Sequence, residues 1–315
     1  LRDYGVNEFD NKLRIIGDEK RDEEDELFKH IAPETVYEVF HKLLIEACDD
    51  NTYLLDLKRY ILDYIIDKVH LENYQKRNRI KDGKYFTTLD GTKVRSKSEQ
   101  FIADWFYRHS IKYDYEPLLN VKDFEFRPDF FIPGANLYIE HVSDKSYPTR
   151  DKEEQFHKGN LLLVKTFECM TKDSALFNHT LDSIVKNRLP SDYRHTVTLS
   201  YQEEFAGYHD AVKEFLQMII RITDMIKVEN TDPDEISNNA AMDQHERVRN
   251  FYHLAIPILK KYKAYCVNKS YLDFNDMISE SMLLFKNQSD IANKFKTKFK
   301  YILVDEFQDV NNLQV

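Results

Sequence analysis

The apolar residues of this chain change their spacing twice, and that change sets its architecture. Val36, Val39, Phe40, Leu43, Leu44 and Ala47 recur every three to four positions behind Ala32-Pro33-Glu34-Thr35, one stripe of an amphipathic helix. Leu54, Leu57, Ile61, Tyr64, Ile65 and Val69 make a second stripe. From about residue 89 the texture turns to short apolar runs around turns. Strands are predicted over Ile111 to Leu119, Phe124 to Ile132, Leu137 to Val142 and Leu161 to Phe167, with a helix from Ser98 to His109. Helical spacing returns near 201, in Val212, Phe215, Leu216, Ile219, Ile222 and Ile226. Asn230-Thr231-Asp232-Pro233-Asp234 punctuates it, and Phe251 to Tyr265 and Asp276 to Phe285 continue it. The expected fold class is α/β: helical stretches 1–88 and 191–315, with a compact α/β unit inserted over 89–190.

Glycine narrows what such a fold can bind. The seven glycines stand at 5, 17, 83, 91, 134, 159 and 207, where average usage would supply roughly 22. Those positions allow neither Gly-x-x-x-x-Gly-Lys-Ser/Thr nor Gly-x-Gly-x-x-Gly. No apolar run is long enough to cross a membrane, and no charged-then-apolar leader opens the chain. Cys48, Cys169 and Cys266 are odd in number and far apart, which argues against a disulfide framework and for a reducing cytoplasm. The chain starts at Leu1 without a methionine and ends in Leu313-Gln314-Val315 without a cap or polar tail, so a piece of something longer is expected.

The net charge of −10 is unevenly spread. Residues 18–26 hold seven acids against two bases, whereas 76–98 hold eight bases against Asp82 and Asp90. A second basic stretch, 286–300, has five lysines against Asp290. Such patches permit nucleic-acid contact on an acidic chain, and a solvated helical face explains them equally well. Eleven histidines include no His-x-x-x-His or His-Glu-x-x-His pair, so no zinc is expected. Trp105, between Ile102 and Phe106, reads as core.

Tyr301-Ile302-Leu303-Val304 is too short for a helix and suits a buried parallel strand, yet it runs directly into Asp305-Glu306-Phe307-Gln308-Asp309. Acids where a buried strand emerges are costly unless they hold a cation or polar ligand. In phosphate chemistry the first carboxylate holds Mg²⁺ and the next orients and deprotonates the attacking water. An ordinary acidic loop is the bland alternative.

The wider context decides between these. Leu303-Val304-Asp305-Glu306-Phe307-Gln308-Asp309-Val310-Asn311 resembles the Walker B segment (motif II) of superfamily 1 DNA helicases of the UvrD and Rep kind. Tyr271-Leu272-Asp273-Phe274-Asn275-Asp276-Met277-Ile278 is similar to the stretch that precedes it in that family. The resemblance implies that Asp305 is the magnesium ligand, that Glu306 is the catalytic base, and that Gln308 couples the nucleotide to movement on DNA. It also implies a RecA-like first motor domain with a helical 1B subdomain, to which much of 1–88 and 191–300 would belong. The family's phosphate loop, Gly-x-x-Gly-x-Gly-Lys-Thr, is not found here. The longer parent is therefore expected to hydrolyse ATP while these residues alone do not.

The inserted unit carries a second constellation. Glu99 opens the Ser98 helix, Asp129 follows Arg127-Pro128, and Glu140 lies across the turn Pro133-Gly134-Ala135-Asn136. One helix acid and two acids on adjacent strands can converge to hold Mg²⁺ or Mn²⁺ against a phosphodiester. The order resembles the PD-(D/E)xK (restriction endonuclease-like) nuclease fold, and Arg95 to Glu99, Tyr113 to Glu116, Phe126 to Phe130 and Tyr138 to His141 resemble the nuclease-like insert of some bacterial helicase IV relatives. The third signature residue is missing, because Val142 stands where lysine should share the face of Glu140. Lys165 is the leading substitute, ahead of Lys97 and Lys158, while adjacent His141 points to the other face. Lys76, Arg77, Arg79, Lys81, Lys84, Lys93, Arg95 and Lys97 lie at the entry to the insert, where they could take DNA phosphates.

Three readings stay open for the parent. It is an ATP-driven 3′-to-5′ translocase whose insert only grips DNA, a combined helicase and nuclease for repair or defence, or a helicase whose insert binds another protein.

Overall fold

The computed structural model describes residues 14–17, 31–66, 85–121, 124–142, 150–171, 174–186, 188–189, 199–229 and 231–305. The chain divides into two compact units, residues 1–66 with 200–315, and residues 67–199.

The first unit opens with β1 (Arg14–Ile15), α1 (Val36–Ala47) and α2 (Asn51–Ile61). Thr35 starts α1 through a capping box: the Glu38 N–H donates to Thr35 Oγ1 at 3.2 Å, and the Thr35 N–H donates to the Glu38 carboxylate at 2.9 Å. All six residues of the first apolar stripe are buried. Asp50 caps α2 by accepting from the Thr52 N–H, and the chain continues into a π-helical turn, Leu62–Ile66. Val69, the last member of the second stripe, lies outside the described residues.

The second unit begins with a hairpin of β2 (Phe86–Thr87) and β3 (Lys93–Val94), whose turn uses Gly91 at φ +91°. Next comes α3 (Lys97–Arg108), capped by Ser96. Then follow β4 (Asp114–Tyr115), β5 (Leu119–Val121), β6 (Phe124–Phe126), β7 (Phe130–Ile132), β8 (Leu137–Val142), α4 (Arg150–Lys158), β9 (Leu162–Phe167) and α5 (Ser174–Lys186).

Four strands form one sheet in the order β4-β7-β8-β9. The first three run antiparallel to one another, and β9 joins β8 in parallel after the α4 crossover. The stretch predicted as one strand over Phe124 to Ile132 is instead two: β6 pairs with β5 in a separate hairpin, and β7 enters the main sheet. Pro128, with no N–H for a ladder, lies in the break. Likewise, the run Ile111 to Leu119 extends only at Asp114–Tyr115 and at its end.

One face of this sheet is the core. Leu137 and Ile139 of β8 and Phe130 and Ile132 of β7 pack with Ile102, Trp105 and Phe106 of α3 and Phe177, Leu181 and Val185 of α5. Complete burial of each large apolar side chain contributes about 1.5–3 kcal/mol. Trp105 belongs to that core, as its place in the helix stripe predicts. The opposite face meets α4, where the Phe156 ring packs against Tyr138 at 5.2 Å and Phe126 at 4.8 Å.

The first unit resumes with α6 (Tyr201–Phe205), α7 (His209–Val228), α8 (Pro233–Ala241), α9 (Glu246–Lys269), β10 (Tyr271–Leu272), α10 (Phe274–Asn287) and α11 (Ser289–Lys298). β10 pairs in parallel with β1. Phe40 of α1 stacks on Tyr262 of α9 at 4.2 Å, and Tyr60, Phe215 and Phe251 join α2, α7 and α9.

The buried strand expected at Tyr301 to Val304 is absent: these residues have no regular structure and are exposed, Leu303 by 97%. A parallel strand needs a hydrogen-bonded neighbour, and none of the described strands pairs with this run.

Candidate functional site

Every expected site residue of the insert that is described lies in the second unit, and the sheet divides them between its two faces. Leu137 and Ile139 point to α3 and α5. Alternation along β8 therefore sends Tyr138 and Glu140 to the α4 face and His141 back to the α3 face.

Glu99 sits in the first turn of α3, and three donors hold its carboxylate. Ser96 Oγ donates to Oε1 at 2.9 Å, while the Arg95 N–H and the Tyr115 hydroxyl donate to Oε2 at 3.0 and 2.6 Å. Burial first, then the bond to Glu99, pushes the Tyr115 hydroxyl well above the usual tyrosine range. Tyr115 keeps its proton, so the bond runs from phenol to carboxylate. Glu99 thus secures the start of a helix.

Asp129 and Glu140 come from neighbouring strands. The β7–β8 register pairs Phe130 with Ile139, and one step further it sets Asp129 opposite Glu140. Asp129 Oδ2 accepts the His141 N–H at 2.6 Å. Glu140 is buried, with only 6% exposure. Its partner in the β8–β9 register is Lys165. The Lys165 ammonium forms an ion pair with Glu153 Oε1, in the first turn of α4. Burial lowers the Lys165 pKa, against the opposing effect of the Glu140 charge.

The expected convergence of Glu99, Asp129 and Glu140 is not formed. Among the described residues no three His, Cys, Asp or Glu side chains gather in a way that could hold a metal ion. The cause is topological: α3 carries Glu99 on one side of the sheet, and Glu140 faces α4 on the other.

Sequence reasoning missed Glu153 and a polar cluster on the α3 face. His141 Nδ1 lies 2.9 Å from Thr166 Oγ1, and its Nε2 lies 3.0 Å from Glu168, which also accepts from Ser98 Oγ at 2.7 Å. These bonds, that of His141 first, hold the Glu168 carboxyl below its ordinary range. Period two along β8 and β9 signals that His141 and Thr166 leave the Glu140 face together; nothing in the sequence signals Glu153.

Arg95 and Lys97 are exposed at the start of α3, and Arg95 pairs with Glu116 at 3.0 Å. Lys76, Arg77, Arg79 and Lys81 lie outside the described residues, as do Glu306 and Gln308. Asp305 is exposed at the end of the run Tyr301 to Val304.

The family model for the UvrD/REP helicase N-terminal domain matches residues 71–315. The chain is 35% identical over 88 residues to a probable DNA helicase II homolog of Mycoplasma capricolum, covering 28% of this chain and 11% of that protein. It is 30% identical over 162 residues to an ATP-dependent helicase/nuclease protein of Clostridium botulinum, covering 49% and 12%. To the ATP-dependent DNA helicase PcrA of Bacillus subtilis it is 32% identical over 88 residues, covering 28% and 11%. The chain thus spans about a tenth of the length of these curated relatives. No solved structure matches it.

Proposed function

Because the chain belongs to the UvrD/REP helicase N-terminal domain family, we propose that it is part of the motor of an ATP-dependent DNA helicase, with a nuclease-fold insert that grips DNA. The observation that carries the motor is the family match, which runs through the acid pair following Leu303-Val304. Asp305 is a hard oxygen donor of the kind magnesium prefers, and it stands exposed at the end of its run. In the motor it would hold Mg²⁺ on the nucleotide phosphates, where the cation would neutralise developing charge. Glu306 would take the proton of the attacking water, and Gln308 would couple the nucleotide to movement along DNA. The phosphate cradle would come from a glycine-rich loop that this sequence lacks. ATP turnover therefore belongs to the longer protein.

A longer protein with such a loop tests this directly. DNA-stimulated ATP hydrolysis is expected there, and Glu306→Gln should lower it by about 10²-fold or more, the usual worth of a positioned base. Unchanged hydrolysis would sink the assignment.

For the insert, the element order α3-β4-β7-β8-α4-β9 supports the nuclease-fold reading. Gripping is favoured over cutting because the Glu99 carboxylate is engaged by three donors and lies on the sheet face opposite Glu140. The basic tract ending in Arg95 and Lys97 would take the phosphates. Affinity should then fall steeply between low and physiological salt. The double charge reversal Arg95→Glu/Lys97→Glu should flatten that dependence by about two ions' worth in a fluorescence titration with single-stranded DNA. Binding indifferent to salt would instead favour a protein partner for the insert.

A further inference from the structure

Lys165, Glu140 and Glu153 come from three different elements, and their arrangement has an electrostatic consequence on the α4 face. The register sets Lys165 on β9 directly beside Glu140 on β8, at the spacing of about 4.8 Å that separates hydrogen-bonded strands. From the other side, Glu153 of α4 reaches the same ammonium. Phe156, one helical turn after Glu153, fixes α4 in place by packing on Tyr138 and Phe126. Asp129 completes the acidic surroundings at the start of β7. A further ion pair among the described α4 side chains, Lys158 with Glu154 at 3.7 Å, joins two exposed groups, and His141 and Glu168 lie on the opposite face.

We infer that the Lys165 ammonium is the resident cation of this site, standing where a nuclease of this fold would carry its divalent metal. The inference rests on the nuclease-fold reading of the second unit. A divalent ion entering beside Glu140 would meet a fixed positive charge on the adjacent strand, and like charges at that spacing repel strongly in a partly buried site. The ammonium pairs with Glu153 and lies in the field of the Glu140 charge, so it offsets part of the acidic charge without any metal. Lys165 thereby takes a cation's place beside Glu140, between the sheet and α4.

Manganese titration of the whole 315-residue chain tests this by calorimetry, scored as the binding that disappears in Glu140→Gln so that the Asp305 region contributes nothing to the difference. The unchanged chain should have no Glu140-dependent binding. Lys165→Met, or Lys165→Gln should the methionine fail to melt cooperatively, should gain it, with affinity raised at least about tenfold by loss of the repulsion. Glu140-dependent manganese binding already present in the unchanged chain overturns the inference and leaves the nuclease-fold reading standing. No binding in either chain, with both lysine variants folded, overturns the inference and the nuclease-fold reading together.

Discussion

The Tyr115 hydroxyl donates to the Glu99 carboxylate at 2.6 Å, tying the first turn of α3 to β4. Because Ser96 and the Arg95 N–H use the same carboxylate, Glu99→Ala should act on stability. It removes a capping partner and leaves a half-buried phenol without its acceptor, together about 1–3 kcal/mol. Tyr115→Phe, which deletes only the hydroxyl, should cost about 1 kcal/mol. Urea melts of the unchanged chain, the two single variants and the double variant measure this, and the effect of the pair should be less than the sum of the singles. If Glu99→Ala melted like the unchanged chain while changing metal or DNA binding, Glu99 would be a ligand after all.

In the first unit, Lys227 of α7 is ion-paired with Asp273, the N-cap of α10, and with Asp276 at 2.7 Å. Burial opposes the lysine's charge, yet the two carboxylates outweigh it and its pKa is raised. Tyr262 adds its ring at 5.3 Å and a hydroxyl that donates to Asp273 at 3.3 Å. Removing one partner of such a network leaves uncompensated charge, so Lys227→Met should cost about 3 kcal/mol or more. Lys227→Met combined with Asp273→Asn should cost clearly less than the two single changes added together, a non-additivity that a double-mutant cycle reads from denaturant midpoints. Additive losses would mean that the contact contributes nothing of its own.

What the sequence made legible follows from the range of the forces involved. The α1 stripe, Leu137 to Val142 and the core place of Trp105 rest on local period, and local period survives folding. The Leu303-Val304-Asp305-Glu306 run resembles a motif of the family whose model matches residues 71–315, and such a resemblance can be read because a chemical motif is written in consecutive residues. The strand expected at Tyr301 to Val304 is not formed, since such a run extends only against a hydrogen-bonded neighbour, and β-pairing is non-local. The same limit explains Glu99, Asp129 and Glu140. Their order along the chain suggested convergence, but which face α3 covers is decided by the packing of Ile102 and Phe106 on β7 and β8. Lys165 was reachable as a nearby basic residue on the next strand; its ion pair with Glu153 depends on how Phe156 seats α4, which no spacing rule encodes.

A pH dependence follows from His41 of α1, whose ring lies 3.2 Å from the Tyr201 hydroxyl and 5.9 Å from the centre of Tyr37. Burial, and then the charge of His209, lowers its pKa from 6.5. In the folded state His41 therefore binds a proton less readily than in the unfolded chain. Between the unfolded value and the lower folded one, the unfolded state holds more protons, so stability rises with pH across that window. The stabilisation from a neutral His41 is complete above about pH 6.5 and lost as the pH falls toward the folded pKa. The lowered carboxyl of Glu168 acts only further into acid, below the ordinary carboxylate range, so the two effects separate along the pH axis. Denaturant midpoints at half-unit steps from pH 5 to 8 should decline on the acid side of this window in the unchanged chain. His41→Asn, which cannot be protonated there but keeps a polar group near Tyr201, should flatten the decline, whereas a slope identical in the two proteins would remove His41 as its source.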